Sequence, residues 1–298
     1  MSTQLNILNF FLKRGLHPIL SRVNPKNPAK LRAWLDKPLE WRFRPKRGSV
    51  VVKGKMRGVN VLHIDADRHD NGTLLYLHGG AYVFGSAQTH CRLVAHICDL
   101  CGLKGLSVNY RLAPEKPFPA AIDDAFAVYQ EMIASGTKNI ILAGDSAGGG
   151  LGLALLAKIL EENLPRPAGV VVFSPWTDLT LSGDSLKSNE KTDYVLPPKQ
   201  VRAARDFYAP DDFKNPHASP VFANFKNSPP VLMFASTTEV LLDDAVGMAK
   251  NLQGSNVDVT LHIYEKTPHV WQLFHGSLPE ADQSLGQTKE FIQRILQN

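Results

Sequence analysis

The sequence predicts an α/β protein with a mainly parallel sheet covered by helices on both faces. Three observations carry this. From about residue 73 onward, short apolar runs of strand length alternate with longer stretches of helical period. The runs are apolar throughout, as in strands buried on both sides: Ile140-Ile141-Leu142-Ala143, Gly169-Val170-Val171-Val172-Phe173 and Val231-Leu232-Met233-Phe234-Ala235. The first of them leads through Gly144-Asp145-Ser146-Ala147-Gly148 into a helix marked by Leu151, Leu155, Leu156 and Ile159.

Taken in order, residues 3 to about 37 read as helix in two pieces, broken near Asn24-Pro25-Lys26-Asn27-Pro28, with Leu31, Trp34 and Leu35 on the apolar face of the second piece. Segments around Val50–Val52 and Val59–Leu62 form a hairpin turning at Arg57-Gly58. A strand at Thr73–Leu77 runs into His78-Gly79-Gly80-Ala81-Tyr82. Helices are expected at about 87–101 and 120–134, with a strand at 105–109 between them. The stretch 179–228 lacks strand pattern and holds one helix near 198–208. Strands return at 231–235 and 257–264, and an amphipathic helix from about 278 to 296 closes the chain.

The 298 residues suit one elaborated α/β domain, and 44% hydrophobic with 20% charged residues is ordinary globular composition. No run approaches the eighteen or more apolar residues of a membrane span, and the leading residues lack a signal-peptide pattern, which together predict a cytoplasmic protein. Cys91, Cys98 and Cys101 are too few for a disulfide framework. Cys98-x-x-Cys101 falls inside a helical pattern, so its thiols read as buried small hydrophobes. Up to Arg57 the chain holds fourteen Lys and Arg against Asp36 and Glu40. No nucleic-acid-binding motif accompanies this basic segment, so no nucleic acid is expected as partner. Its apolar residues Leu5, Ile7, Leu8, Phe10, Phe11 and Leu12 are read as packing on the body of the protein in preference to a membrane surface.

Gly144-x-Ser146-x-Gly148 between strand and helix is the pattern of a nucleophile held on a sharp turn, where a Cβ at either glycine would clash with the crossing strand and helix. Acyl transfer also needs N–H groups aimed at the developing oxyanion. His78-Gly79-Gly80-Ala81 offers bare backbone after a strand, and the N–H of Ala147 follows the nucleophile. A base and an acid must come after the serine, acid first. Glu239 follows the strand 231–235, with Asp243 and Asp244 further on, and His269 follows the strand 257–264. His269 alone has both the order and the post-strand position, since His262 lies within a strand and His275 comes about two turns later.

With these motifs in hand, the chain resembles the hormone-sensitive-lipase-like family of bacterial esterases, over about residues 70 to 275. His78–Tyr82 resembles the family's oxyanion motif and Gly144–Gly149 its serine motif; Asn109-Tyr110-Arg111-Leu112-Ala113-Pro114-Glu115, with Pro117–Ala121 and Asp123-Asp124, resembles a third hallmark. The resemblance implies an α/β-hydrolase fold, with residues 1–48 as a helical cap segment and 49–298 as the core carrying a cap insert at about 179–228. It implies hydrolysis of small carboxylic esters without a cofactor or metal. Its catalytic residues would be Ser146, Glu239 and His269, and its oxyanion donors Gly80, Ala81 and Ala147. His78, Gly79, Asp145, Arg111 and Glu115 would act as support. Ala81 stands where many members have a third glycine, a replacement that is harmless only if that residue keeps a negative φ. Glu239 replaces the family's usual aspartate, which leaves Asp243 as a rival acid. Two other functions stay open: a lactone hydrolase with the same triad, and a non-catalytic small-molecule-binding protein, as the plant gibberellin receptors that lack the histidine. The oligomeric state is open too, a homodimer included.

Overall fold

The computed structural model describes residues 1–22, 28–45, 49–65 and 71–297. Its centre is an eight-stranded sheet in the order β1-β2-β4-β3-β5-β6-β7-β8. The strands are β1 (Val50–Met56), β2 (Val59–Asp65), β3 (Thr73–Leu77), β4 (Lys104–Asn109), β5 (Ile140–Asp145), β6 (Gly169–Phe173), β7 (Val231–Ser236) and β8 (Val259–Tyr264). β2 pairs antiparallel with both β1 and β4, and every later pairing is parallel.

The helices are α1 (Thr3–Phe11), α2 (His17–Arg22), α3 (Pro28–Arg42), α4 (Cys91–Cys101), α5 (Ala120–Ala134), α6 (Ala147–Glu161), α7 (Ser185–Ser188), α8 (Pro198–Tyr208), α9 (Leu242–Gly254) and α10 (Pro279–Gln297). α5 and α8 fall where their apolar spacing places them. α4 starts four residues later than expected because a turn occupies 86–89, where the Thr89 hydroxyl donates to the Ser86 carbonyl at 2.8 Å. A π-helical turn over Leu12–Leu16 joins α1 to α2. The expected break at Asn24–Asn27 and the side chains of Leu31 and Trp34 lie outside the described residues.

Period-two alternation along the parallel strands divides the interior into two cores. Leu75, Leu77, Leu142, Val170, Val172 and Met233 face one layer, with α5, α6 and α9. Leu74, Tyr76, Ile141, Val171, Phe173 and Phe234 face the other, with α4 and α10. Among the described residues no helix is long and apolar enough to cross a membrane.

The apolar N-terminal residues divide. Leu5 and Leu12 are buried and Leu8 packs partly, whereas Ile7, Phe10 and Phe11 stay exposed. The expectation that all six pack on the body is therefore corrected for these three. Apolar side chains at 5, 7, 8, 10, 11 and 12 encircle the helix, and only one side of it can meet the body.

Candidate active site

Parallel register brings the ends of five strands to one edge of the sheet. Leu77 lies opposite Gly144, Asp145 opposite Phe173, Phe173 opposite Phe234 and Ser236 opposite Tyr264. The segments that follow, beginning at His78, Ser146, Ser174, Thr237 and Glu265, are therefore neighbours.

Ser146 has φ 52° and ψ −122°, a strained turn between β5 and α6. It is held by its N–H donating to the Phe173 carbonyl at 2.9 Å and by the Trp176 N–H donating to its own carbonyl at 2.9 Å. The flanking glycines are steric necessities. A Cβ at Gly144 would lie 2.4 Å from the Gly148 carbonyl oxygen, and one at Gly148 would lie 2.1 Å from that of Leu77.

His78 and Gly79 continue β3. A Cβ at Gly80, where φ is 121°, would lie 2.0 Å from the Phe84 carbonyl oxygen, so the loop closes only on glycine. Ala81 has φ 53° and Tyr82 φ 62°. The negative φ that would make alanine harmless here is not met: Ala81 accepts a left-handed conformation costing about 1–2 kcal/mol. The turn is held by the Val83 and Phe84 N–H groups donating to the Gly80 carbonyl, each at 3.0 Å. Tyr82 is buried and stacks on Tyr208 with ring centroids 3.6 Å apart. None of the hydrogen bonds among the described residues uses the N–H of Gly80, Ala81 or Ala147.

Behind this loop Asp145 ties the two motifs together. Its Oδ1 accepts from the Gly79 N–H at 3.0 Å and the Tyr76 hydroxyl at 2.7 Å, and its Oδ2 lies 3.2 Å from Nε2 of His90. Burial pushes the Asp145 carboxyl up, but His90 and the Tyr76 hydroxyl more than offset this and hold it low. Burial dominates at His78, pushing its imidazole down to about 3; it is neutral, stacked on Tyr110 at 4.2 Å. Arg111 grips Asp124, with its N–H donating to Oδ2 at 2.8 Å, and Glu115 pairs with Arg32 of α3.

Glu239 and His269, from the segments after β7 and β8, come together. Oε2 of Glu239 lies 3.4 Å from Nδ1 of His269, close for an ion pair and too long and misaligned for a good hydrogen bond. Both side chains are buried. Burial lowers the His269 imidazole pKa, and the adjacent Glu239 carboxylate more than reverses this, leaving it above the ordinary value. Nε2 of His269 has no hydrogen-bond partner among the described residues. The rival acids are engaged elsewhere. Asp243 accepts from the Ser185 N–H at 2.8 Å, and Asp244 accepts from the Thr177 and Asp178 N–H groups at 2.9 and 2.8 Å. His262 stacks on Phe234 within β8, and His275 stacks on His96.

Two residues of this site were not singled out from the sequence. The fully buried Ser174 donates its hydroxyl to Oε1 of Glu239 at 2.7 Å and accepts the Val270 N–H at 3.2 Å, so it joins the acid to the backbone beside His269. Val270 itself has φ 52°, unusual for a β-branched residue, which this bond helps to hold. Asp193, from the stretch 179–228, accepts the Val240 N–H at 2.9 Å and braces the turn carrying Glu239. The one sequence signal was position: Ser174 directly follows β6 at the same sheet edge.

Ser146, His269, Gly80 and Ala81 line one pocket of about 260 Å³. Its other walls are mostly apolar, from Leu12, Leu16 and Leu20 of the N-terminal run, Leu35 and Leu39 of α3, and Val201 and Phe207 of α8. The described residues contain no cluster of His, Cys, Asp and Glu able to hold a metal ion. Cys98 and Cys101 are buried, and burial pushes the Cys101 thiol up to about 12, far from a reactive thiolate.

Comparison with known proteins agrees with this geometry. Residues 74–273 match the family described as alpha/beta hydrolase fold. An esterase of Acinetobacter venetianus is 34% identical over 269 residues, covering 89% of this chain and 88% of that one. An acetyl-hydrolase of Streptomyces hygroscopicus is 36% identical over 228 residues, 76% of each. The crystal structure of an esterase from the bacterial hormone-sensitive lipase family superposes with a TM-score of 0.92 at 32% identity, over 99% of both chains. The chain belongs to the hormone-sensitive-lipase-like family of the α/β-hydrolase superfamily.

Proposed function

We propose that this protein is a serine carboxylesterase that hydrolyses small carboxylic esters through an acyl-enzyme. One observation carries the reading: Ser146 on its strained turn and His269, with an unpartnered buried Nε2, line the same apolar pocket beside unused N–H groups. The esterase and acetyl-hydrolase relatives support it. Ser146 Oγ bonds to the ester carbonyl carbon while its proton passes to Nε2 of His269. The carbonyl electron pair moves onto oxygen, facing the N–H groups of Gly80, Ala81 and Ala147. Collapse breaks the bond to the alcohol oxygen, which leaves with the proton from His269. Water, deprotonated by His269, then attacks the acyl carbon; the bond from that carbon to Ser146 Oγ breaks, Oγ takes the proton back from His269, and the acid leaves. Glu239 orients the imidazole and stabilises its charged form.

Residues 1–48 and the insert 179–228 act as a cap over the core, since both contribute apolar walls to the pocket. The Gln200 amide of the insert donates to the Leu20 carbonyl at 2.9 Å, which joins the two pieces. An apolar pocket of this kind suits esters with an aliphatic acyl chain. The test is turnover of p-nitrophenyl butyrate by the full chain and by Ser146→Ala. The variant is expected to lose roughly 10⁴–10⁶-fold in kcat. Comparable rates in the two would overturn the reading.

A further inference from the structure

The N-terminal helical run is apolar on two sides, and the body covers one. Leu5, Leu8 and Leu12 turn inward. Helical spacing puts Ile7, Phe10, Phe11 and Arg14 on the opposite side, where Ile7, Phe10 and Phe11 are 53%, 50% and 65% exposed. A surface helix whose free side should be polar thus presents three large apolar side chains to water. The helix is firmly seated. The Ser2 N–H and hydroxyl donate to the Glu280 carboxylate at 2.6 and 2.8 Å, and the Asn9 amide donates to the Lys266 carbonyl at 2.8 Å.

Charge selects the occupant of this face. Residues 1–35 include Lys13, Arg14, Arg22, Lys26, Lys30 and Arg32 and contain no Asp or Glu. The Arg14 guanidinium lies 4.3 Å from the Phe10 ring centroid, so cation and aromatic form one patch; the exposed Lys13 precedes it in the chain, its Nζ 5.6 Å from the Tyr194 ring centroid. The Glu280 carboxylate is bonded to Ser2, and the Glu115 carboxylate to Arg32. A second copy docked through the same face would set these cations against their own counterparts.

We propose that this face docks on a lipid bilayer bearing anionic headgroups. Ile7, Phe10 and Phe11 enter the headgroup–acyl boundary, and Lys13 and Arg14 stay at headgroup level. The run continues into Leu12, Leu16 and Leu20, which line the pocket, so docking brings a pocket wall to the lipid surface. That consequence for substrate supply, unlike the docking, rests on the ester-hydrolase reading.

The test is co-sedimentation of the full chain with phosphatidylcholine vesicles and with vesicles of equimolar phosphatidylcholine and phosphatidylglycerol. The chain is expected to pellet with the anionic vesicles and to be released by added salt. The double variant Phe10→Ser/Phe11→Ser should lower the partition coefficient by about tenfold or more. Lys13→Gln/Arg14→Gln should remove the preference for anionic over neutral vesicles. Both variants should keep the wild-type thermal midpoint and turnover of p-nitrophenyl butyrate, so docking and catalysis fail separately. Wild-type chain left in the supernatant, or equal partition of wild type and either variant, would overturn the proposal. So would a dimer, seen by sedimentation velocity, that Phe10→Ser/Phe11→Ser dissolves.

Discussion

Replacing Glu239 with glutamine removes one charge and almost no volume. The carboxylate lies 3.4 Å from the His269 ring, and both groups are buried. At an effective dielectric constant of ~20, a unit pair at that separation interacts by about 5 kcal/mol, or three to four decades in rate if all of it acts on the imidazolium of the transition state. The contact lacks hydrogen-bond geometry, so part of that is forfeited, and the expected loss in kcat/KM is about 10²–10⁴-fold. The pH profile carries the signature. The Glu239 carboxylate holds the His269 pKa up against burial. The acid limb of kcat/KM, where His269 must be neutral, therefore lies above the ordinary histidine value in the wild type. In the glutamine variant only the weaker pull of Asp193 and Asp145 still opposes burial, and the limb moves to lower pH. Asp243→Asn, whose carboxylate is bonded to the Ser185 N–H, should leave kcat/KM within about threefold and cost ~1 kcal/mol of stability. Initial rates across pH for the two folded variants decide the matter. A larger loss in Asp243→Asn, or an acid limb unmoved in Glu239→Gln, would refute the assignment.

Ser174→Ala should destabilise by about 1–3 kcal/mol in denaturant unfolding, because a buried carboxylate oxygen and the Val270 N–H each lose a partner; unchanged stability would count against its linking role. Asp244, which is buried, has its carboxyl pushed up to about 8 by burial, above its value in the unfolded chain. Its contribution to stability is then fully present below about pH 4 and is lost as pH rises toward 8. Asp244→Asn mimics the protonated form, so its denaturation midpoints between pH 5 and 8 should fall less steeply than those of the wild type, and an equal slope would contradict this. Gly148→Ala should leave little folded protein, since the new Cβ would meet the Leu77 and His78 carbonyl oxygens at 2.1 and 2.4 Å. Gly152→Ala on the same helix meets nothing within 4 Å and should be neutral or stabilising by up to about 1 kcal/mol in the same thermal assay.

What was legible in the sequence follows from how local its cause is. α5 and α8 can be read to the residue because apolar spacing and flanking prolines act within the segment. The glycines at 144 and 148 are readable because a sharp turn leaves no room for a Cβ. Order along the chain and position after strands placed Ser146, Glu239 and His269, since a parallel sheet collects its strand ends on one edge. Ser174 and Asp193 were not legible. Each acts on a segment more than forty residues away, and a serine or aspartate in a loop carries no mark of a distant partner. The φ of Ala81 was not legible for a related reason. The left-handed turn is closed by the Val83 and Phe84 N–H groups on the Gly80 carbonyl and carries Tyr82 onto Tyr208 of the remote insert, a partner that no local pattern marks. Composition alone could not say which side of α1 the body covers.

The most direct test of the proposed chemistry is covalent. The full chain would be treated with phenylmethylsulfonyl fluoride, digested, and mapped by mass spectrometry alongside residual turnover of p-nitrophenyl butyrate. One sulfonyl adduct per chain, on the peptide carrying Ser146, should form in step with the loss of activity and be absent from Ser146→Ala. Full inactivation with the adduct on another residue, or full labelling of Ser146 with activity retained, would contradict the role of Ser146 as nucleophile.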